Sequence, residues 1–208
     1  KEHFEELKQE LGGRLPGNVV ADAGYGSEEN YEYLKEAELG NYVKYNTFHK
    51  EASRQWKNDV TRVQNWAYNE ETDEYICGCG RILRFQYERS QKSKNGYQST
   101  VRVYESGDCS GCPHRDRCVK SSDPDANRRI YINRRGNELK AEARANLTSE
   151  YGRQMRSLRP IEVESVFGNI KGNFGMRRFT LRGMAKVKLE WGLHCIAHNM
   201  RKMATANA

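Results

Sequence analysis

Asp22 occupies a position that suits metal chemistry. It directly follows the apolar run NVVA (18–21), which predicts a buried strand, and it begins the glycine-rich turn DAGYG. Open α/β sheets place their sites at the carboxyl ends of strands, where the strand holds a side chain rigidly. A carboxylate there is a good ligand for Mg²⁺, because this ion prefers oxygen. The alternative interpretation is that Asp22 only caps the turn.

Glu164 and Lys171 suit phosphodiester chemistry if the segment RPIEVESVFGNIK (159–171) is a helix. Its apolar residues recur at helical spacing and form a stripe that Glu164 borders: Val163, Val166, Phe167 and Ile170. Lys171 follows Glu164 by seven residues, which is two turns on nearly the same face. The alternative is an ordinary amphipathic helix. Gly168 argues against that alternative, since an interior glycine costs about 1 kcal/mol and suggests close approach of DNA or another backbone.

Five of the six cysteines lie between residues 77 and 118. Cys109, Cys112 and Cys118, with Cys77 upstream, offer four soft ligands for a structural zinc ion. Cys79 and His114 are competing ligands for the same ion. The alternative is a set of reduced thiols in a small β core. Cys195, in the last predicted helix, is assigned to the core.

Positive charge is concentrated at the C-terminal end. The chain carries 35 Lys and Arg against 28 Asp and Glu, a net charge of +7. Residues 151–208 hold eleven of these bases and only three acids, whereas the rest is close to neutral. A basic segment on a neutral body predicts binding to a polyanion such as nucleic acid, the alternative being a solvated basic face.

A basic cluster within this segment is the best candidate for gripping DNA phosphates. Its members, interleaved with Phe174 and Phe179, are Lys171, Arg177, Arg178 and Arg182. The alternative is a basic loop beside the fold. No apolar run is long enough to span a bilayer, no secretory signal is present, and the mean hydropathy is −0.96.

Three regions differ in their predicted elements. Residues 1–50 read helix, strand, helix, strand, with Ser27 as the N-cap of the second helix, which is an α/β pattern. Residues 51–135 are rich in β-branched and aromatic residues and predict a β-rich insertion, with strands over 66–75, 81–87, 98–104 and 129–133. Residues 136–208 predict the helical remainder of the core, with a basic tail.

Two long segments carry a family resemblance. VVADAGYGSEENYEYL, around Asp22, resembles the second-aspartate segment of DDE transposases from bacterial insertion sequences. VESVFGNIKGNFGMRRFTLRG resembles their glutamate segment, in which a lysine follows the glutamate by seven residues, as Lys171 follows Glu164. Residues 75–77 and CSGCPHRDRC (109–118) resemble the cysteine-bearing β insertion of one branch.

The resemblance implies a ribonuclease H-like core interrupted by that insertion and followed by C-terminal helices. It implies a transposase that cuts and joins DNA ends, with Asp22 and Glu164 among the carboxylates that bind Mg²⁺ or Mn²⁺. The implied partners are transposon ends and target DNA, with a homo-oligomer as the full-length form and no membrane. The implied location is the bacterial cytoplasm, at the nucleoid.

Two departures from the family pattern leave alternatives open. The first aspartate belongs on a strand upstream of the first predicted helix, so we expect this chain, which starts at Lys1, to be the C-terminal part of a longer enzyme. Where the family has an arginine four residues before the glutamate, Pro160 stands here, and Arg159 or Arg156 is the candidate substitute. A nuclease of the same fold and an inactive DNA-binding remnant are the alternative functions.

Overall fold

A computed structural model describes residues 2–206, with side chains for residues 4–161 and 164–205. The chain divides into two units at the junction of Thr148 and Ser149. The helices of the first unit are α1 Glu2–Glu10, α2 Glu28–Glu36, α3 Arg54–Lys57, α4 Arg115–Cys118 and α5 Arg134–Thr148. Its strands are β1 Asn18–Ala21, β2 Gly40–Val43, β3 Ala67–Asn69, β4 Glu74–Ile76, β5 Ile82–Lys92, β6 Gln98–Ser106 and β7 Arg129–Ile132. The helices of the second unit are α6 Glu150–Arg159, α7 Ser165–Gly168 and α8 Met184–Ala206. Across the described residues, none of these helices combines the length and the apolar character that a bilayer crossing needs.

The start of the chain confirms the predicted α/β pattern. Strands β1 and β2 pair in parallel, with Ala21 opposite Val43, and α2 connects them. Ser27 is the N-cap of α2, since its hydroxyl accepts the backbone N–H of Asn30 at 3.2 Å. Glu28 and Glu29 lie in the first turn, where the helix dipole favours acids. Signals between neighbouring residues in the sequence are therefore enough to specify β1, α2 and β2.

The parallel strands are covered by two helices. Tyr31 and Leu34 of α2 pack with Val43, and Leu139 and Ala143 of α5 complete the same apolar cluster. All five are at most 3% exposed, so this cluster is the core that holds β1 and β2 in place. The predicted α/β core thus includes a helix from far along the chain.

The predicted β-rich region contains a five-stranded antiparallel sheet in the order β3-β4-β5-β6-β7. The predicted strand over 66–75 is wrong, because the chain reverses between Asn69 and Glu74 and forms two short strands instead. Asp73, in that turn, has a left-handed φ of 53°. The predicted strands over 81–87, 98–104 and 129–133 are present, the first of them extended to Lys92.

Asp73 anchors the turn to the rest of the sheet. Its carboxylate accepts hydrogen bonds from Tyr68 at 2.6 Å, from Tyr104 at 2.8 Å and from both terminal nitrogens of Arg102. Arg134, at the start of α5, also donates to it at 3.1 Å. Burial acts to raise the pKa of Asp73, but the hydrogen bonds outweigh it and hold that pKa below the usual range.

Substitution of Asp73 by asparagine should destabilise the protein by about 2 kcal/mol, because charged hydrogen bonds of this kind contribute roughly 1.5–3 kcal/mol. Asparagine tolerates the left-handed backbone, so the change isolates the charge. Since the folded pKa is lowered, the contribution is present above about pH 4, the ordinary pKa of aspartate, and is lost as the pH falls below it. Urea denaturation at several pH values measures both effects, with the exposed Asp125→Asn as control. Equal stabilities of the two variants at pH 7 would contradict the prediction.

The second unit is helical. Ser149 caps α6 by accepting the backbone N–H of Gly152 at 2.9 Å. Between α6 and α8 the helix continues through two π-helical turns, Pro160–Glu164 and Asn169–Asn173, on either side of α7. In a π turn each N–H bonds the carbonyl five residues earlier instead of four, and such turns are frequent at functional sites.

Candidate metal and nucleic-acid site

Asp22 lies at the carboxyl end of β1, as predicted. Its side chain makes no capping hydrogen bond to the short 3₁₀ helix Ala23–Tyr25, so the structure gives no support to a role limited to capping the turn. Instead, Oδ1 of Asp22 lies 3.9 Å from Nζ of Lys44, and the Asp22 side chain is 53% exposed. The carboxylate is therefore held at the sheet edge and is accessible from solvent.

Lys44 was missed by the sequence analysis. It follows β2 directly, and the parallel register that pairs Ala21 with Val43 brings Lys44 beside Asp22. The signal was present in the sequence, since two parallel strands end at the same edge of a sheet. The lysine beside the carboxylate adds positive charge at this edge of the sheet.

The turn after Asp22 requires a glycine at one of its two glycine positions. A Cβ on Gly26 would lie 2.2 Å from the backbone oxygen of Lys44 and 2.8 Å from the Tyr31 hydroxyl. That hydroxyl donates to the carbonyl oxygen of Val43 at 3.1 Å, and burial raises its pKa to about 12. A Cβ on Gly24 would meet nothing within 4 Å.

The two glycines form a matched pair of variants. Gly26→Ala should destabilise the protein by about 1–3 kcal/mol, because the added methyl forces the turn away from β2. Gly24→Ala should change stability by no more than about 0.5 kcal/mol. Urea denaturation of both variants checks the difference. If both changes are neutral, the turn does not pack against β2 as described.

Glu164 ends the first π turn, and its side chain is exposed. Of the predicted apolar stripe, Ile170 is fully buried and the ring of Phe167 stacks on Trp191 at 5.5 Å. The side chain of Val163 falls outside the described residues. A Cβ on Gly168 would meet nothing within 4 Å, so no neighbouring backbone of the described chain accounts for this glycine.

Lys171 lies in the second π turn and is exposed. Its Nζ is 5.7 Å from the centroid of the Phe167 ring, a cation–π distance. Asn169 and His198 pair at 2.7 Å and tie this turn to α8. The segment that carries Glu164 and Lys171 is thus fixed to the last helix on one side, while both charged groups are accessible.

The loop 174–183 presents three exposed arginines: Arg177, Arg178 and Arg182. It is anchored by Glu190 of α8, whose carboxylate accepts the backbone N–H groups of Thr180 and Leu181, both at 2.9 Å. These hydrogen bonds hold the pKa of Glu190 below its usual range. Phe179 packs edge-on against Trp191 at 6.4 Å. The arginines are therefore displayed by a positioned loop, and nothing in the sequence indicated the role of Glu190.

The two remaining candidates for phosphate contact, Arg156 and Arg159, lie in the last turns of α6 and are half-buried.

Asp22 belongs to the first unit, whereas Glu164, Lys171 and the arginines belong to the second. Carboxylate oxygens that are open to solvent fit a hard divalent ion in donor type. Among the described side chains (4–161 and 164–205), no group of three or more from His, Cys, Asp or Glu is already arranged around a metal position.

Five cysteines border one small cavity. Its lining includes Cys77, Cys79, Cys109, Cys112 and Cys118, together with His114. A hydrogen bond from the backbone N–H of His114 lowers the pKa of the Cys112 thiol, whereas burial raises that of Cys118. All of these cysteines are reduced, and so is Cys195, which belongs to α8 of the second unit and is half-buried.

Comparison with known families identifies the matched part of the chain. A family model described as a transposase DDE domain matches residues 76–204, more than half of the 208 residues. The matched part includes Glu164, Lys171, the arginine loop and the cysteines, whereas Asp22 precedes it. Comparisons with curated proteins and with solved structures gave no significant match.

Proposed function

Since this chain belongs to the family of transposase DDE domains, we propose that it cuts and joins the DNA ends of a mobile element. The observation that carries the proposal is the family match, which spans the whole segment from Glu164 to the arginine loop. The family supports a transposase-type function with DNA as the partner. The chemistry at individual residues, the ribonuclease H-like arrangement of the core, assembly into a homo-oligomer and action on nucleoid DNA in the cytoplasm are part of our proposal.

Asp22 and Glu164 are the proposed ligands of the divalent ions, Mg²⁺ or Mn²⁺. When bound, these ions supply activation of a water or a DNA 3′ hydroxyl and stabilisation of the departing oxygen. Both carboxylates are accessible from solvent. Asp22 directly follows strand β1, and a side chain at the end of a strand is held rigidly enough to serve as a metal ligand. The assignment of Asp22 rests on this position and on the surrounding sequence, because Asp22 precedes the matched residues.

The basic side chains are proposed to hold the DNA. Lys171, on the same helical segment as Glu164, would contact a phosphate next to the bond that is cut. Arg177, Arg178 and Arg182 would contact phosphates further along the transposon end, and Arg159 is assigned to the same group. Phosphate contacts fix the position of the DNA and carry no sequence information.

The direct test is an assay of strand cleavage and joining by the full-length gene product. The substrate is DNA that carries the ends of the mobile element encoding the protein, incubated with and without Mg²⁺. We expect Mg²⁺-dependent nicking at the ends, followed by joining to target DNA. Cleavage without joining would favour a nuclease. DNA binding without any metal-dependent cleavage would overturn the proposal and favour an inactive DNA-binding remnant.

A further inference from the structure

The cavity at the cysteines is the size of a single ion. Its volume is about 20 Å³, and one water molecule needs roughly 10–15 Å³ on this measure, so no larger ligand fits. Cys77 and Cys79 come from the turn between β4 and β5, and the other cysteines from the segment between β6 and β7. The long strands β5 and β6 separate the two groups in sequence. Folding of the sheet is therefore what brings these five cysteines to the lining of one cavity.

Both cysteine-bearing turns have a backbone suited to directing sulfur atoms to one side. Gly80, directly after Cys79, has φ +76°, and its N–H donates to the carbonyl of Cys77 at 2.8 Å. Gly111, between Cys109 and Cys112, has φ +63°. Only glycine adopts such a backbone without cost, which lets each turn close tightly. The two tight turns therefore place cysteines from both segments on the lining of one cavity.

Polar and positively charged groups lie close to the sulfur atoms of the cavity. The backbone N–H of Arg128 donates to Sγ of Cys109 at 3.3 Å, and the Cys79 thiol donates to the Cys112 sulfur. Arg81 and Arg128 line the cavity together with the cysteines. A zinc ion with four thiolate ligands is anionic, so guanidinium groups beside it offset its charge. N–H donors to metal-bound sulfur are the outer contacts that such centres require.

We propose that four of these five thiols bind one structural Zn²⁺ ion, with ligands taken from both turns. Soft thiolates in a tetrahedral set are the ligands that structural zinc prefers. Binding would require the cysteine side chains to reorient, because among the described side chains (4–161 and 164–205) no three are already arranged around a metal position. This zinc site is additional to the proposed cleavage and joining of DNA and takes no part in that reaction. Its role is to hold the turn 77–81 against the segment 108–118.

The test uses metal content and a spectroscopic probe. The intact chain, purified under reducing conditions, should hold one zinc per chain, and Co²⁺ added to the zinc-free chain should give the visible absorption of a tetrahedral thiolate complex. Four of the five single Cys→Ser variants should lose the stoichiometric metal and one should keep it. Cys195→Ser is the control and should behave as the parent, because Cys195 lies in α8 of the other unit.

A second measurement guards against variants that fail to fold. Chelation of zinc from the unsubstituted chain should lower its unfolding temperature, and added Zn²⁺ should restore it. Absence of zinc, absence of the Co²⁺ spectrum, or a disulfide found by mass spectrometry under the same conditions would overturn the proposal. All of these readouts are made without DNA, so their failure is distinguishable from failure of the proposed transposase activity.

Discussion

Glu164→Gln and Asp22→Asn should each slow Mg²⁺-dependent DNA cleavage by about a thousandfold or more. Each change keeps the shape of the side chain and removes a charged oxygen ligand. A catalytic ion contributes several kcal/mol of transition-state stabilisation, and a loss of about 4 kcal/mol corresponds to roughly a thousandfold in rate. Single-turnover cleavage of end-bearing DNA measures the effect in the full-length protein.

Folding and DNA binding should survive both changes. Glu164 is exposed, and the ion pair between Asp22 and Lys44 is a partly exposed contact at 3.9 Å, which contributes little to stability. Glu150→Gln, an exposed glutamate in the first turn of α6, is the matched control and should cleave at the parental rate. Parental rates in both active-site variants would show that these carboxylates are not metal ligands.

Removal of the three loop arginines should weaken DNA binding by roughly a hundredfold at low salt and flatten its salt dependence. Each phosphate contact contributes about 0.9 to the slope of log K against log salt, so the triple alanine variant should lose about 2–3 units of slope. This variant carries alanine in place of Arg177, Arg178 and Arg182, which are all exposed in the loop that Glu190 anchors. Fluorescence anisotropy over a range of salt concentrations measures both quantities.

A control variant separates local contact from overall charge. Alanine at Lys8, Lys92 and Lys94 removes the same number of exposed charges from the first unit. If binding depends only on net charge, the two triple variants should lose affinity equally. We expect the lysine variant to keep most of its affinity and its salt slope. Equal losses would rule out the arginine loop as a defined phosphate grip.

Local signals account for what the sequence predicted well. The strand Asn18–Ala21 is a short apolar run before a turn, and Ser27 with its acidic neighbours marks a helix start within a few residues. Such features depend on neighbours in sequence. The family resemblance, confirmed by the match over residues 76–204, likewise rests on residues close together in the chain.

Long-range contacts account for what the sequence did not reveal. The reversal at Asp73 is stabilised by Arg102, Tyr104 and Arg134, about 30 to 60 residues away, so the local pattern looked like one continuous strand. The proximity of Lys44 to Asp22 depends on strand register, and the anchoring of the arginine loop depends on Glu190 in the following helix. The ligand roles of Asp22 and Glu164 stay predictions, because they rest on chemistry that the fold alone does not display.

The π turn that ends at Glu164 determines which residue lies one helical turn before this glutamate. Pro160 has no N–H to continue the α-helical ladder, and the turn that follows spans five residues instead of four. A residue five places back is therefore in phase with Glu164, and that residue is Arg159. The wider turn therefore places Arg159 about one turn before Glu164, on the same helical segment.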